Sequence, residues 1–109
     1  MLFHIATHVD IERAKRTGTY IPDAFEREGF IHCSYAEQVI QVANRLFAGR
    51  RDLMLLEIDP QKLSCPVVDE NLEGGMELFP HIYGHVPMTA VLAVHPFPCD
   101  ERGRFQSLW

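Results

Sequence analysis

The chain has 109 residues, 47% apolar and 23% charged, with ten basic and fifteen acidic residues for a formal charge of −5. This fits one globular domain, 1–109, with enough chain for one core. The acidic balance argues against unspecific binding to nucleic acid or an anionic membrane, because both depend on clustered Lys and Arg. No apolar run approaches the roughly 18 residues that span a bilayer. Met1 to Asp10 lacks the basic-then-apolar pattern of a signal peptide, so a cytoplasmic location is expected. Cys33, Cys65 and Cys99 are widely spaced and form no C-x-x-C, which reads as free thiols in a reducing compartment.

In chain order, Leu2 to Ala6 reads as a first strand with His4 in its middle. Asp10 is placed to cap a short helix through Arg16, which Gly18 ends. Pro22 suits a first helical turn, and Asp23 to Glu28 reads as helical until Gly29. Phe30 to Cys33 is a second strand. Alternation puts Phe30 and His32 on one face, and Ile31 and Cys33 on the other. Ser34 to Glu37 matches a capping box, with Ser34 as cap and Glu37 reaching back. A helix over 34–48 follows, carried by Val39, Val42, Ala43 and Leu46 and widened by Ile40 and Phe47. Gly49 is placed to end it.

Leu53 to Ile58 is a buried strand by its continuous apolar run. Asp59-Pro60 turns the chain into a brief helical turn, and Cys65 to Val68 is a further strand. Asn71 to Gly75 is a loop. Leu78 to Tyr83 is extended, since Pro80 and Gly84 forbid a long helix. Thr89 to Val94 is the last strand, and the tail from His95 reads as polar and turn-rich, ending in Phe105 and Trp109. About five strands and one main helix make an α+β fold with a small mixed or antiparallel sheet. There is no G-x-G-x-x-G and no Walker loop, which disfavours doubly wound dinucleotide and P-loop folds.

Six histidines in a chain this short direct attention to a site. His32 lies where a strand meets a helix mouth, and helix N-termini attract anions. His4 and His32 would form a pair if their strands are neighbours. Thr7 either ends the first strand or holds a ligand hydroxyl. Phe79-Pro80-His81-Ile82-Tyr83-Gly84 reads either as a packed turn or as a wall for a flat heterocycle, with His81 or Tyr83 as its polar handle. Glu70, Glu73 and Glu77 surround the loop before it. His81 and His85 have helical metal-ligand spacing, but Pro80, Gly84 and Pro87 oppose a helix there. No metal is expected.

Phe3-His4-Ile5-Ala6-Thr7, Gly29-Phe30-Ile31-His32-Cys33-Ser34, Leu53 to Asp59 and Phe79 to Gly84, in this order, resemble the bacterial domain of unknown function 952 family. That family has no established activity. Its implied fold is an ADP-ribosyltransferase-like split sheet. His4 and Thr7 resemble the Tyr-His-Gly-Thr strand of RNA 2′-phosphotransferases, and Ile31 to Ser34 resembles their His-Leu-Ser strand. Gly29 to Ser34 is also similar to the Gly-Ile-Tyr-Phe-Ala strand and following Ser of poly(ADP-ribose) polymerases. Leu55-Leu56-Glu57 is similar to their Leu-Leu-Gly-Glu strand. The third transferase motif, a glutamate, has no match in Phe79 to Tyr83.

The resemblance implies a cleft for NAD or a related ADP-ribose-type nucleotide. His4, Thr7, Ser34, His81 and Tyr83 would contact the nucleotide. His32 would meet ribose or nicotinamide, and Glu70 or Glu77 would favour transfer or cleavage at the N-glycosidic bond. The rival readings are a non-catalytic interaction or regulatory module on the same fold, and a metal-dependent hydrolase using His4, His32, His81 or His85.

Overall fold

The computed structural model describes residues 1–72 and 75–108. Glu73 and Trp109 therefore lie outside the described residues. Its central strand is β4 (Leu53–Ile58), flanked by β1 (Leu2–Thr7) and β8 (Val91–Pro96), both antiparallel to it. The continuous apolar run of β4 has a physical cause, because both faces of this sheet are covered. Leu53 and Leu55 join Phe3, Val39, Phe97 and Phe105 on one side. Leu56 and Ile58 join Leu2, Ala6, Ile11 and Tyr20 on the other.

A second antiparallel sheet runs in the order β3 (Ile31–His32), β6 (Phe79–Ile82), β5 (Val67–Glu70). A third pairing joins β2 (Thr19–Tyr20) to β7 (Val86–Pro87). The fold is α+β, and the strand pairing is antiparallel rather than mixed. A backbone bridge joins the two larger sheets, where Phe3 and Ser34 exchange two N–H···O bonds of 2.8 Å each.

Helix α1 (His8–Thr17) follows β1 directly. Thr7, not Asp10, is its cap, and its hydroxyl accepts the Asp10 N–H at 3.2 Å. Asp10 falls in the first turn, where a carboxylate opposes the positive helix end. Gly18 closes the helix at φ +84°, a left-handed conformation that glycine takes at little cost. α2 (Phe25–Glu28) is shorter than expected and stops at Gly29.

The expected cap at Ser34 is displaced. Ser34 is committed to the bridge with β1, so the turn starts one residue later. The Tyr35 N–H donates to the Gln38 side chain at 3.0 Å, so Gln38 and not Glu37 reaches back. A 3₁₀ turn over Ala36–Gln38 then leads into α3 (Val39–Leu46). Val39, Val42 and Ala43 are buried as their spacing predicts, but Leu46 is exposed. α1, at ten residues, is longer than α3, at eight.

β5 begins two residues later than expected, and β8 begins at Val91 because Met88–Ala90 forms a 3₁₀ turn. The two-residue strands β2 and β7 carry no periodic signal and are not visible in the sequence. The tail is not merely a polar turn. Phe97 and Phe105 stack 4.8 Å apart in the core. The Asn44 amide both donates to and accepts from the Phe105 backbone, at 3.0 and 2.8 Å. Among the described residues no helix is long and apolar enough to cross a membrane.

His4 ties three strands together. One ring nitrogen, Nδ1, lies 2.7 Å from the backbone oxygen of His32 on β3. The other, Nε2, lies 2.7 Å from the Tyr20 hydroxyl on β2. A carbonyl oxygen only accepts, so Nδ1 carries the hydrogen and Nε2 accepts from Tyr20. The neutral ring is therefore fully satisfied. Burial pushes its pKa down from 6.5 to about 4, against a smaller opposing effect of the His32 carbonyl.

The unfolded chain takes up this proton near pH 6.5, whereas the folded chain resists it to about pH 4. The neutral ring's contribution is thus complete above pH 6.5, declines below it and is gone near pH 4; it amounts to about 3 kcal/mol. Urea unfolding at pH 7 and pH 4.5 is expected to show this loss in wild type. It should be much reduced in His4→Gln, whose amide can donate and accept without titrating. An equal loss in both would show that His4 does not carry it.

Candidate ligand-binding cleft

A cleft of about 750 Å³ runs along the outer edge of β1. That edge is open for a topological reason. β1 pairs with β4 on one side, while on the other its backbone bridges to Ser34 at Phe3. Strand hydrogen bonds alternate in direction, so the residue two beyond Phe3 presents its backbone to the same side. The Ile5 N–H and C=O therefore face the cleft, and among the described residues neither has a protein partner. The opposite wall is built by Tyr20 and by residues 22–24 and 27–28, and Leu46 and Phe47 of the α3 region close one end.

Of the residues singled out by sequence, His4, Thr7, His32 and Ser34 line this cleft. Their engagement differs. His4 is held at both nitrogens, and it touches the His32 carbonyl rather than the His32 ring. Thr7 is occupied by its capping bond. Ser34 is buried, and its backbone is committed to Phe3. The helix mouth behind it is a three-residue 3₁₀ turn, too short to carry the dipole of a longer helix.

His81, Tyr83 and Glu70 form a connected series behind His32. His32 Nδ1 lies 3.2 Å from His81 Nε2, and His81 Nδ1 lies 2.9 Å from Glu70 Oε1. The Tyr83 hydroxyl donates to the same carboxylate oxygen. β3–β6 pairing places His32 directly opposite His81, and β6–β5 pairing places Val68 opposite His81 with Glu70 two residues along. Phe30 stacks on the His81 ring at 4.2 Å and 17° and holds its plane. Phe30 and His32 do share a face, but it is Ile31 and Cys33, on the other face, that enter the core. Phe79–Ile82 is thus the inner strand of the second sheet, with Tyr83 just beyond it, and neither lines the cleft.

Tyr83 and then His81 hold the Glu70 carboxyl below the usual carboxylate range, while Glu70 raises the Tyr83 phenol. Glu77 stands apart. It accepts from the Gln41 amide beside a second hollow that also contains Arg45 and Phe79. Neither carboxylate expected from sequence lines the cleft.

The acidic residues that do line it are Asp10, Asp23 and Glu28. Asp10 is buried and paired with Arg13. Arg27 is a cation on the cleft wall with no ion pair among the described residues. None of these residues carries a sequence signal of its own, because each reads as an ordinary helix or loop charge. Only the chain reversal at Gly18 and the β2–β7 ribbon bring them opposite β1. His85 is also drawn elsewhere, edge-on to Phe25 with 5.0 Å between centroids. Among the described residues no three His, Cys, Asp or Glu side chains converge as a metal-ligand set.

These features define an α+β protein with antiparallel sheets, the two larger ones joined by a backbone bridge, and a cleft along the free edge beside it. The model of the family described as "Protein of unknown function (DUF952)" matches residues 5–94, and the chain belongs to that family. The chain is similar to protein CC0527 from Caulobacter crescentus. The crystal structure of that protein is 27% identical, with a TM-score of 0.85, over 96% of this chain and 92% of that one. Its solution structure gives a TM-score of 0.83 at 27% identity, over 96% and 90%. No curated protein matches the chain.

The phenol's hold on Glu70 is testable by carbon-detected NMR titration of the carboxyl groups. In Tyr83→Phe the Glu70 carboxyl is expected to titrate at higher pH than in wild type. An unchanged titration would show that Tyr83 does not hold the carboxylate.

Proposed function

We propose that the cleft binds NAD or a related ADP-ribose-type nucleotide. The observation that carries this reading is the free edge of β1 inside a cleft of about 750 Å³, a size suited to a small ligand. The Ile5 N–H and C=O form an adjacent donor and acceptor, the complement of a primary carboxamide such as that of nicotinamide. Arg27 offers a cation for a pyrophosphate, and Asp10, Asp23 and Glu28 offer acceptors for ribose hydroxyls. The residues present therefore fit the group. The split antiparallel arrangement, with histidines on β1 and β3, also agrees with the resemblance to ADP-ribosyltransferase-like folds.

When bound, the nucleotide would supply a labile N-glycosidic bond. The chain's own residues orient it through Ile5, His32 and Arg27. His4 acts behind them, fixing β3 against β1. A second reading, binding without turnover, is favoured by one observation: Glu70 and Glu77, the carboxylates expected to favour positive charge on the ribose, both lie outside the cleft. On that reading the domain is a non-catalytic regulatory or interaction module.

Isothermal titration of NAD and ADP-ribose tests the first reading. Wild type is expected to bind NAD more tightly than ADP-ribose, and His32→Ala to weaken NAD by roughly tenfold through lost contact with its ring. No binding of either at millimolar ligand would remove the reading. Chromatographic detection of released nicotinamide separates the two readings: release lost in His32→Ala supports transfer or hydrolysis, and its absence supports binding alone.

A further inference from the structure

The backbone of β3 is divided between two sheets. The Cys33 N–H donates to the Pro80 carbonyl at 2.9 Å, so residues 31 and 33 face β6. Strand hydrogen bonds alternate in direction, so residues 32 and 34 face β1. Ser34 uses both backbone groups on Phe3, as a hydrogen-bonded antiparallel pair. Register fixes the next such pair, two residues up one strand and two down the other. It would join Ile5 to His32, with the Ile5 N–H donating to the His32 carbonyl. That pair is not formed. The His32 carbonyl accepts instead from His4 Nδ1 at 2.7 Å. Here β3 parts from β1, and Ile5 and His32 line the cleft that opens between them.

Tyr20 decides which nitrogen of His4 carries the hydrogen. Its hydroxyl lies 2.7 Å from Nε2 and donates to it, which leaves Nδ1 as the N–H. Tyr20 is buried, and burial pushes its phenol pKa well up, so the donor keeps its proton. Pairing of β2 with β7, Tyr20 opposite Val86, fixes the phenol from behind.

We propose that His4, held in its Nδ1–H tautomer by Tyr20, keeps the cleft open by taking the carbonyl that would otherwise close the β1–β3 ladder onto Ile5. Closing that ladder in wild type would leave the buried His4 N–H without an acceptor, the costlier arrangement. The Ile5 N–H and C=O face the cleft instead, where water or a ligand pairs them. His4 and Tyr20 are positioning residues in this scheme, since they act through Ile5. The inference does not rest on the nucleotide reading, because an open donor and acceptor on β1 serve any ligand with a matching carbonyl and N–H.

Backbone amide hydrogen exchange of the ligand-free protein, read by ¹H–¹⁵N NMR, tests it. The His4 and Ala6 amides point to β4 and are expected to exchange slowly. In wild type the Ile5 amide should exchange at least roughly tenfold faster than either, the scale of one backbone hydrogen bond. His4→Leu releases the His32 carbonyl, so Ile5 should slow by about tenfold and show a through-hydrogen-bond coupling to the His32 carbonyl carbon. His4→Gln, whose amide can donate to His32 and accept from Tyr20, should keep Ile5 fast. A wild-type Ile5 amide as slow as Ala6 would overturn the proposal, and that result stands even if a variant folds poorly. An Ile5 that stays fast in folded His4→Leu would also overturn it. So would an Ile5 as slow in His4→Gln as in His4→Leu, because loss of ring packing would then explain both.

Discussion

The imidazole of His4 is the contact on which the geometry of the cleft depends. It carries one hydrogen and one lone pair on opposite sides of a rigid ring. It uses the first on the backbone of β3 and the second on the hydroxyl from β2. No aliphatic residue in the middle of β1 would hold both neighbours at hydrogen-bonding distance. Among the described residues the two larger sheets share one backbone bridge, at Phe3 and Ser34. His4, the next residue, locks that junction from the core side. The cleft begins where the bridge stops, so the same local arrangement that joins the sheets also leaves the edge beyond them open.

Much of this was legible in the chain. Leu53 to Ile58 announces a strand covered on both faces, and it is the centre of the main sheet. Gly18 and Gly29 mark helix ends through a backbone conformation that other residues rarely adopt. Where a boundary differs, a tertiary contact overrides a local signal. Ser34 has the chemistry of a helix cap, but its backbone is taken by β1, so the capping turn slips by one residue and α3 starts only at Val39. Thr89 has a strand-forming side chain, but the 3₁₀ turn over Met88–Ala90 delays β8. β2 and β7 are too short to show any period.

The site was legible in its residue types but not in its grouping. The four residues His4, Thr7, His32 and Ser34 share the cleft, because the Phe3–Ser34 bridge sets the end of β3 beside β1. Strand register then decides the rest. Glu70 reaches His81 because β5 runs beside β6, and Glu77, only seven residues on, turns toward α3. No spacing rule separates these two glutamates before the pairing is known. Membership of DUF952 and the likeness to CC0527 place the whole arrangement in a family fold without assigning it an activity. The proposal of an ADP-ribose-type ligand therefore combines the resemblance with the shape and chemistry of the cleft.

The most direct measurement is a map of backbone amide shifts by ¹H–¹⁵N NMR as NAD is added to the wild-type chain. If the open edge of β1 is the binding surface, the largest changes fall at Ile5, Thr7, Arg27 and His32, with smaller ones along β6. Changes confined to Arg45, Met76 and Glu77 around the second hollow, or none at millimolar NAD, would contradict the account.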